Sequence, residues 1–191
     1  MEEKFFLEIP GVERKAEAKS YIDEFINFNS EIHGSAGLEN YINDYALWVE
    51  RVKNNWNNPI SNGLVPAHTY FLVRKNDNKI IGMIDIRLYL NDYLEKFGGH
   101  IGYSIRPTER NKGYSKINLY LALKDCKNVG LENVLITCSK SNIASARTIK
   151  ALGGVLSDEI FDEEMNTIVQ RYWIDTESAL SNKKFEGNLL I

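Results

Sequence analysis

The chain has 191 residues, which is enough for one domain with a sizeable hydrophobic core. Hydrophobic residues make up 43% of the chain, charged residues make up 26%, and the formal net charge is −3. This near-balance of 23 basic and 26 acidic side chains argues against a general nucleic-acid binder, which needs a strong basic surplus.

The location of the protein is predicted from three further features. The first residues, MEEKFFLEIP, are acidic and lack the apolar core of a secretory signal. No apolar run approaches the roughly 20 residues that span a bilayer, so we expect no membrane partner. Cys126 and Cys138 fit neither a metal site nor a disulfide framework, which favours a reducing, cytoplasmic compartment.

The first half of the chain predicts two helices and three strands. Apolar residues at three- and four-residue steps predict the helices, and alternation or short apolar runs predict the strands. In chain order we predict a strand over 4–9, a helix over 12–28, a polar loop over 29–37, a helix over 38–56, a loop over 54–66, and strands over 68–75 and 79–90.

The second half alternates strands and helices before a final pair of strands. In chain order we predict a loop over 91–98, a strand over 99–105, a helix over 116–129, a strand over 134–138, a helix over 143–152, and strands over 155–161 and 167–174. The sum is an α/β domain over residues 1–176, with a mixed, mostly antiparallel central sheet flanked by helices. Residues 177–191 are predicted to be a C-terminal tail, with no helix or strand assigned to it. The helix between two strands implies a parallel crossover.

A candidate phosphate cradle opens the helix of the second half. Gly113 lets the backbone approach an anion closely, and the residues after it begin a helix whose free N–H groups and positive dipole end favour negative charge. Basic side chains add fixed positive charge beside that end. The predicted cofactor-binding residues of the cradle are Arg110, Asn111, Lys112, Gly113, Tyr114 and Ser115.

Two motifs resemble those of a known family, the GNAT (Gcn5-related) N-acetyltransferases. The run Arg110-x-x-Gly113-x-Ser115 resembles the family's pyrophosphate loop, Arg/Gln-x-x-Gly-x-Gly/Ala. About thirty residues later, Asn142-x-x-Ser145 resembles its Asn-x-x-Ala motif. The resemblance implies a GNAT-like fold and acetyl-CoA as co-substrate, without a metal. It also implies transfer of the acetyl group to a primary amine of a small molecule or peptide, by direct attack in a ternary complex.

The sequence also departs from the family pattern. Ser115, Ser145 and Gly154 are small or local changes, but Ile149 stands where the family often has a tyrosine that protonates the leaving thiolate. This departure leaves open a second interpretation, a catalytically weak acyl-CoA-binding sensor or interaction module. A nucleotide-phosphate-binding domain is a weaker third interpretation, because the chain lacks a P-loop and a dinucleotide-binding glycine motif.

The resemblance also implies where the cofactor lies. In the family, the strand beside the cofactor splays away from the strand after the helix, and pantetheine pairs with backbone groups in the gap. Ser104 and Ile105 are therefore predicted cofactor contacts, mainly through their backbone, and a backbone N–H of residues 103–105 is the family-like donor to the thioester oxygen. Asn142 is a predicted cofactor contact through its side-chain amide, and the alternative is a plain helix cap.

For the catalytic groups, the sequence offers candidates with alternatives. His100 is the first candidate base, since a histidine pKa of about 6.5 suits proton transfer near neutral pH; the alternative is a histidine held by a backbone partner at the end of its strand. Asp85 and Glu50 are weaker candidates. Ser145 or Tyr103 is a candidate donor to the leaving thiolate, and solvent is the alternative.

The acceptor amine is not predicted. In the family, the region between the first two strands helps to form the acceptor site. The alternative is that the aromatic side chains of this region belong to the core and that its charged side chains are solvated. A homodimer is left open. The acceptor-site candidates are Glu31, His33, Tyr41, Asp44, Tyr45 and Trp48.

Overall fold

A computed structural model describes residues 3–56, 63–181 and 183–189. Its strands form two antiparallel sheets. The first, in the order β1-β2-β3-β4, contains β1 (Phe5–Glu8), β2 (Ala67–Arg74), β3 (Lys79–Arg87) and β4 (Ile101–Ile105). The second, in the order β5-β7-β6, contains β5 (Asn133–Ser139), β6 (Val155–Asp162) and β7 (Thr167–Asp175).

Helices cover both faces of the first sheet, which explains why β2 and β3 are almost wholly buried. The helices are α1 (Lys15–Asn27), α2 (Tyr45–Asn54), α3 (Tyr114–Asn128), α4 (Ile143–Ala151) and α5 (Thr176–Ser181). α1 and α2 pack on one face, against residues that include Phe71 and Met83. α3 packs on the other face, against residues that include Leu72 and Ile84.

Most predicted elements are present, with one clear correction. The helix predicted over 38–56 is wrong in its first part: a single turn, Leu38–Asn40, is followed by a break, and α2 begins only at Tyr45. The carbonyl of Asp44 accepts the first helical N–H bonds, from Leu47 (2.9 Å) and Trp48 (3.2 Å). Part of the loop predicted over 54–66 lies outside the described residues.

The two sheets meet at one end of β4 and then separate. The His100 N–H donates to the Leu135 carbonyl (2.7 Å), and within the described residues no ladder joins β4 to β5. The parallel crossover predicted through α3 is therefore not formed within one sheet: in the described residues α3 connects two separate antiparallel sheets. The α/β class with mostly antiparallel strands and flanking helices is confirmed, and we call the gap between the diverging strands β4 and β5 the cleft.

The tail predicted over 177–191 has structure in its described part. α5 packs against α3, and Phe185 of the turn Lys183–Asn188 packs on the Tyr120 ring, with centroids 5.6 Å apart. Leu189 forms an isolated parallel bridge with Phe5. These contacts bring the end of the chain back to the first strand.

Membrane-spanning helices and metal clusters are absent from the part of the chain that the structure describes. No helix there has both the length and the apolar character to cross a membrane. Nor do the same residues include a group of three or more His, Cys, Asp or Glu side chains placed to hold a metal ion. Cys126 and Cys138 are free, buried thiols.

Candidate active site

The predicted cradle presents backbone amides at the start of α3. Gly113 precedes the helix with φ of 86°, and Asn111 has φ of 63°, so the turn exposes successive N–H groups. No hydrogen bond within the described part of the chain uses the N–H groups of residues 111–115. A Cβ at Gly113 would meet no atom within 4 Å, so the space beside these amides is open. Unpaired amides and the helix dipole together favour an anion.

A charged cluster beside the cradle is centred on a buried carboxylate. Glu109 accepts hydrogen bonds from Lys112 (2.8 Å), Lys79 (3.0 Å) and Arg74 (3.1 Å). Burial acts to raise the pKa of Glu109, but the bonds from the three cations outweigh it and lower the pKa to about 2. The Glu109 carboxylate is therefore held by three cations beside the cradle, and one of them, Arg74, also pairs with Asp77 at 2.7 Å.

The backbone of β4 has one side bonded and one side open. The Arg106 N–H donates to Ile81 (2.8 Å), and His100 accepts from Arg87 (2.7 Å), so the even-numbered residues of this stretch pair with β3. In an antiparallel ladder the residues between them point their N–H and C=O groups away. The N–H of Tyr103 therefore faces the cleft between β4 and β5.

A pair of hydroxyl groups bridges the cleft. The Tyr103 hydroxyl lies 3.0 Å from Ser145 Oγ at the start of α4, so two of the predicted catalytic side chains meet. Ser115 Oγ lies 3.0 Å from Thr148 Oγ1 and joins α3 to α4 in the same way. Burial raises the pKa of Tyr103 to about 12, so this hydroxyl keeps its proton at neutral pH.

Three other residues predicted near the cleft have defined local roles. Asn142 caps α4, since its Oδ1 accepts the Ser145 N–H at 3.0 Å. Ile149 is fully buried in the core. Cys138 is also buried, and burial raises the pKa of its thiol, which disfavours the reactive thiolate.

His100 is enclosed rather than open to the cleft. Its side chain is buried, and its Nδ1 accepts the Leu135 N–H at 3.0 Å, while the Trp173 ring meets it edge-on. Burial lowers the pKa of His100 to about 4, and the positive charge of Arg87 acts in the same direction. Protonating Nδ1 would break the bond from Leu135. This geometry argues against a general base and matches the alternative of a histidine held by a backbone partner.

The buried imidazole predicts a pH-dependent stability. Between about pH 6.5 and pH 4 the unfolded chain binds a proton at His100 and the native protein does not, so the free energy of unfolding falls by up to about 3 kcal/mol as the pH drops. His100→Asn keeps an acceptor for Leu135 but does not titrate, so we expect this part of the loss to disappear. Urea unfolding at several pH values tests it; identical pH profiles for both proteins would contradict the prediction.

Comparison with known proteins decides the family. The family model described as "Acetyltransferase (GNAT) family" matches residues 30–153, which is more than half of the chain. The chain belongs to the GNAT acetyltransferase family. The resemblance and the enzyme class predicted from the two motifs are thereby confirmed: the protein is an acetyl-CoA-dependent N-acetyltransferase. A search among curated proteins finds no match.

Solved GNAT structures share the fold over nearly the whole chain. The microcin C7 self-immunity acetyltransferase MccE, solved with acetyl-CoA and AMP, is 19% identical, with 90% of this chain and 92% of that chain covered and a TM-score of 0.68. A ribosomal-protein-S5-alanine acetyltransferase from Vibrio fischeri is 18% identical (91% and 93% covered, TM-score 0.61). Mutant forms of the spermidine/spermine N-acetyltransferase SpeG from Vibrio cholerae are 13% identical (94% and 98%, 0.62).

Against this GNAT fold, several predicted cofactor contacts direct their side chains elsewhere. The Tyr114 ring packs on Phe5 at 4.8 Å, and its hydroxyl donates to Glu3. Ser104 points to α1, where its Oγ lies 3.0 Å from the Tyr21 hydroxyl. Such residues can contact a cofactor only through their backbone, and their contacts remain predictions.

The segment that follows α1, which we call the crossing loop (residues 28–37), lies over β4. It carries Glu31 and His33, whose side chains are 85% and 58% exposed and lie 3.5 Å apart. Two other acceptor-site candidates, Tyr45 and Trp48, are fully buried in the core between α1, α2 and the first sheet. Their assignment to the acceptor site is wrong, and the alternative of core aromatics holds.

The two weaker candidates for the base are also placed unfavourably. Asp85 is buried, accepts a hydrogen bond from the Thr69 hydroxyl at 2.7 Å and lies 3.4 Å from Arg87 Nε. Glu50 lies on the exposed side of α2. Neither is a free carboxylate at the mouth of the cleft.

Sequence reasoning missed a network that ties α1 to the end of β4. Arg106 is buried and bonds to Glu17 (2.8 Å) and Glu24 (3.1 Å), and Glu24 also accepts the Thr108 N–H at 2.7 Å. The spacing of Glu17 and Glu24, two turns apart on one helix face, was the available signal. It did not identify the cation that they meet.

Proposed function

We propose that the protein transfers the acetyl group of acetyl-CoA to a primary amine of a small molecule or peptide, by direct attack with both substrates bound. The observation that carries this proposal is the set of unpaired donors on β4 and on the cradle that follows it. Within the described residues the N–H groups of residues 111–115 have no hydrogen-bond partner, the N–H of Tyr103 points away from β3, and the Tyr103 hydroxyl meets Ser145.

Binding depends mainly on the backbone. The amides of residues 111–115 are suited to a diphosphate, and the open space at Gly113 admits its close approach. The outward groups of β4 are suited to an extended, amide-bearing arm, which adds to a strand edge as a peptide does. Held at both places, the thioester is oriented before the amine arrives, which lowers the entropic part of the barrier.

At the reacting centre, the Tyr103 N–H donates to the developing oxyanion. The amine nitrogen bonds to the carbonyl carbon, the carbon–sulfur bond breaks, and the proton of the amine passes to water. The Tyr103 hydroxyl is protonated at neutral pH, so it can donate to the departing sulfur and recover its proton through Ser145 from solvent. His100 has no part in this proton transfer and acts instead as a brace between β4 and β5.

The relatives' names support an amine acceptor without identifying it. One is named for alanine of a ribosomal protein and another for spermidine and spermine. We further propose a cytoplasmic location, which the two free thiols fit.

The direct test is to incubate the protein with acetyl-CoA and a panel of amines: polyamines, amino-acid derivatives and peptides with free N-termini. Thiol release that depends on one class of amine supports the proposal. Tight binding of coenzyme A without thiol release for any amine would support the sensor instead.

The proton donor is tested by Tyr103→Phe. We expect kcat to fall about 10- to 100-fold, because the hydroxyl is lost from the cleft while the backbone N–H remains. The dissociation constant for coenzyme A should stay within about 2-fold, as measured by calorimetry. Tyr70→Phe is the matched control, since it removes another buried phenol, bonded to Asp125 at 3.1 Å, outside the cleft. An unchanged kcat in Tyr103→Phe would make solvent the donor.

A further inference from the structure

Two polar side chains, Ser104 near the end of β4 and Arg110 at the start of the cradle, point away from the cofactor cleft. Ser104 Oγ donates to the His33 carbonyl at 2.6 Å and lies 3.0 Å from the Tyr21 hydroxyl. Arg110 donates from its terminal nitrogen to Ser30 Oγ at 2.8 Å. Two residues predicted to hold the cofactor thus contact α1 and the crossing loop.

The contacts of Ser104 occupy its side chain. The residue is buried, and its hydroxyl both donates and accepts, so no capacity to donate remains for a cofactor group. Because side chains alternate along a strand, it lies on the sheet face opposite the one that carries Tyr103. It therefore reaches the crossing loop and not the cleft.

The contacts of Arg110 have the same direction. Its Nε donates to the Ile105 carbonyl at 3.1 Å, and its guanidinium lies over the Phe25 ring, 5.4 Å from the centroid. With the bond to Ser30, these contacts orient the guanidinium toward the end of α1. The first residue of the cradle motif thereby joins the cofactor loop to the start of the crossing loop.

Next to the bond between Ser104 and His33, the crossing loop touches the β4 backbone. Gly34 has φ of 69°, and a Cβ there would lie 2.2 Å from the Gly102 carbonyl oxygen. Only glycine permits this approach, one residue before Tyr103. The Trp48 indole N–H adds a bond to the Ala36 carbonyl at 3.2 Å, so the loop is held along its length.

We propose that Ser104 and Arg110 are positioning residues for the amine half of the reaction. This inference rests on the proposed function. The cradle and the Tyr103–Ser145 pair occupy the α3 and α4 side of β4, so the amine approaches from the side that the crossing loop covers. By fixing this loop, with its exposed Glu31 and His33, the two residues set the KM for the amine and leave coenzyme A affinity to the backbone amides.

Ser30→Ala and Ser104→Ala test the inference. Ser30 lies outside the cradle, so its substitution removes the loop's bond to Arg110 without altering residues 104–115. For each variant we expect the amine KM to rise about 3- to 10-fold, as for loss of one or two hydrogen bonds, with the coenzyme A dissociation constant within about 2-fold. Ser181→Ala is the matched control: it removes a hydroxyl bonded to the Ser178 carbonyl at 2.7 Å in α5.

Hydrogen exchange of the amides in residues 28–37 is the readout that does not depend on turnover. We expect faster exchange in Ser30→Ala and Ser104→Ala than in the unmodified protein and in Ser181→Ala. Equal exchange, or weaker coenzyme A binding with an unchanged amine KM, would overturn the inference. Absence of thiol release from the unmodified protein would instead reject the proposed function, and the exchange measurement would still decide whether the loop is positioned by these residues.

Discussion

Gly113→Asp is expected to abolish coenzyme A binding, with an affinity loss of at least about 100-fold, or ~3 kcal/mol. Gly113 adopts φ of 86°, and the space beyond its Cα, where a side chain would project, is empty. A carboxylate there would compete for the amides of residues 111–115 and repel the diphosphate. Calorimetric titration with coenzyme A measures the loss, and circular dichroism checks that the variant is folded.

Gly130→Asp is a closely matched control for this variant. Gly130 follows the other end of α3 and has φ of 81°, and a Cβ there would likewise meet no atom within 4 Å. The substitution therefore imposes the same backbone strain and charge away from the cradle, and coenzyme A affinity should be retained. If folded Gly113→Asp bound coenzyme A as well as Gly130→Asp does, the cradle assignment would have to be abandoned.

The backbone geometry of the candidate cradle was predictable because its determinants are local. A glycine and a following helix lie next to each other in the sequence, and helix-start chemistry does not depend on distant contacts. The direction of the Arg110 side chain was not predictable in this way, because it depends on Ser30, far away in sequence. Only the helix boundary differed: α3 begins at Tyr114, two residues before the predicted position. The strand–helix–strand order around it was also predictable, because the spacing of apolar residues along the sequence distinguishes helices from strands.

The roles of side chains on β4 were not predictable in the same way. Alternation indicates that Tyr103 and Ser104 point to opposite faces, but the identity of each face depends on packing with α1 and α4, far away in sequence. His100 shows the same dependence, since its Nδ1 is engaged by Leu135, which lies in the other sheet. The chemistry of a histidine near a cofactor strand suits a general base, but the contacts of His100 make it a structural link between β4 and β5.

Taken together, these contacts make β4 a partition between the two halves of the site. On one face, Tyr103 reaches α4 across the cleft where the cofactor is proposed to lie. On the other, Ser104 holds the crossing loop, where the amine is proposed to enter. Alternating side chains on one strand can therefore serve two substrates without sharing a contact.

Arg106→Ala is expected to have the largest effect on stability. The Arg106 side chain is only 3% exposed, and it bonds to Glu17, Glu24 and the Ile80 carbonyl (2.9 Å). Its removal leaves carboxylates and a buried carbonyl without their cation, and such losses cost about 3–5 kcal/mol. For a domain of this size the melting temperature should fall by about 10 °C. Urea and thermal unfolding measure both quantities.

The same helix provides the control for Arg106→Ala. Lys19 forms an exposed ion pair with Asp23 on α1, with both side chains about half exposed, so Lys19→Ala should change the free energy of unfolding by less than about 0.5 kcal/mol. Both variants remove one positive charge from α1 or its partner, so the difference between their free energies of unfolding measures the effect of burial. Arg106 also orients α1, and α1 leads into the crossing loop. A decrease in the free energy of unfolding of less than about 1 kcal/mol in Arg106→Ala would therefore contradict both the structural and the energetic role of the network.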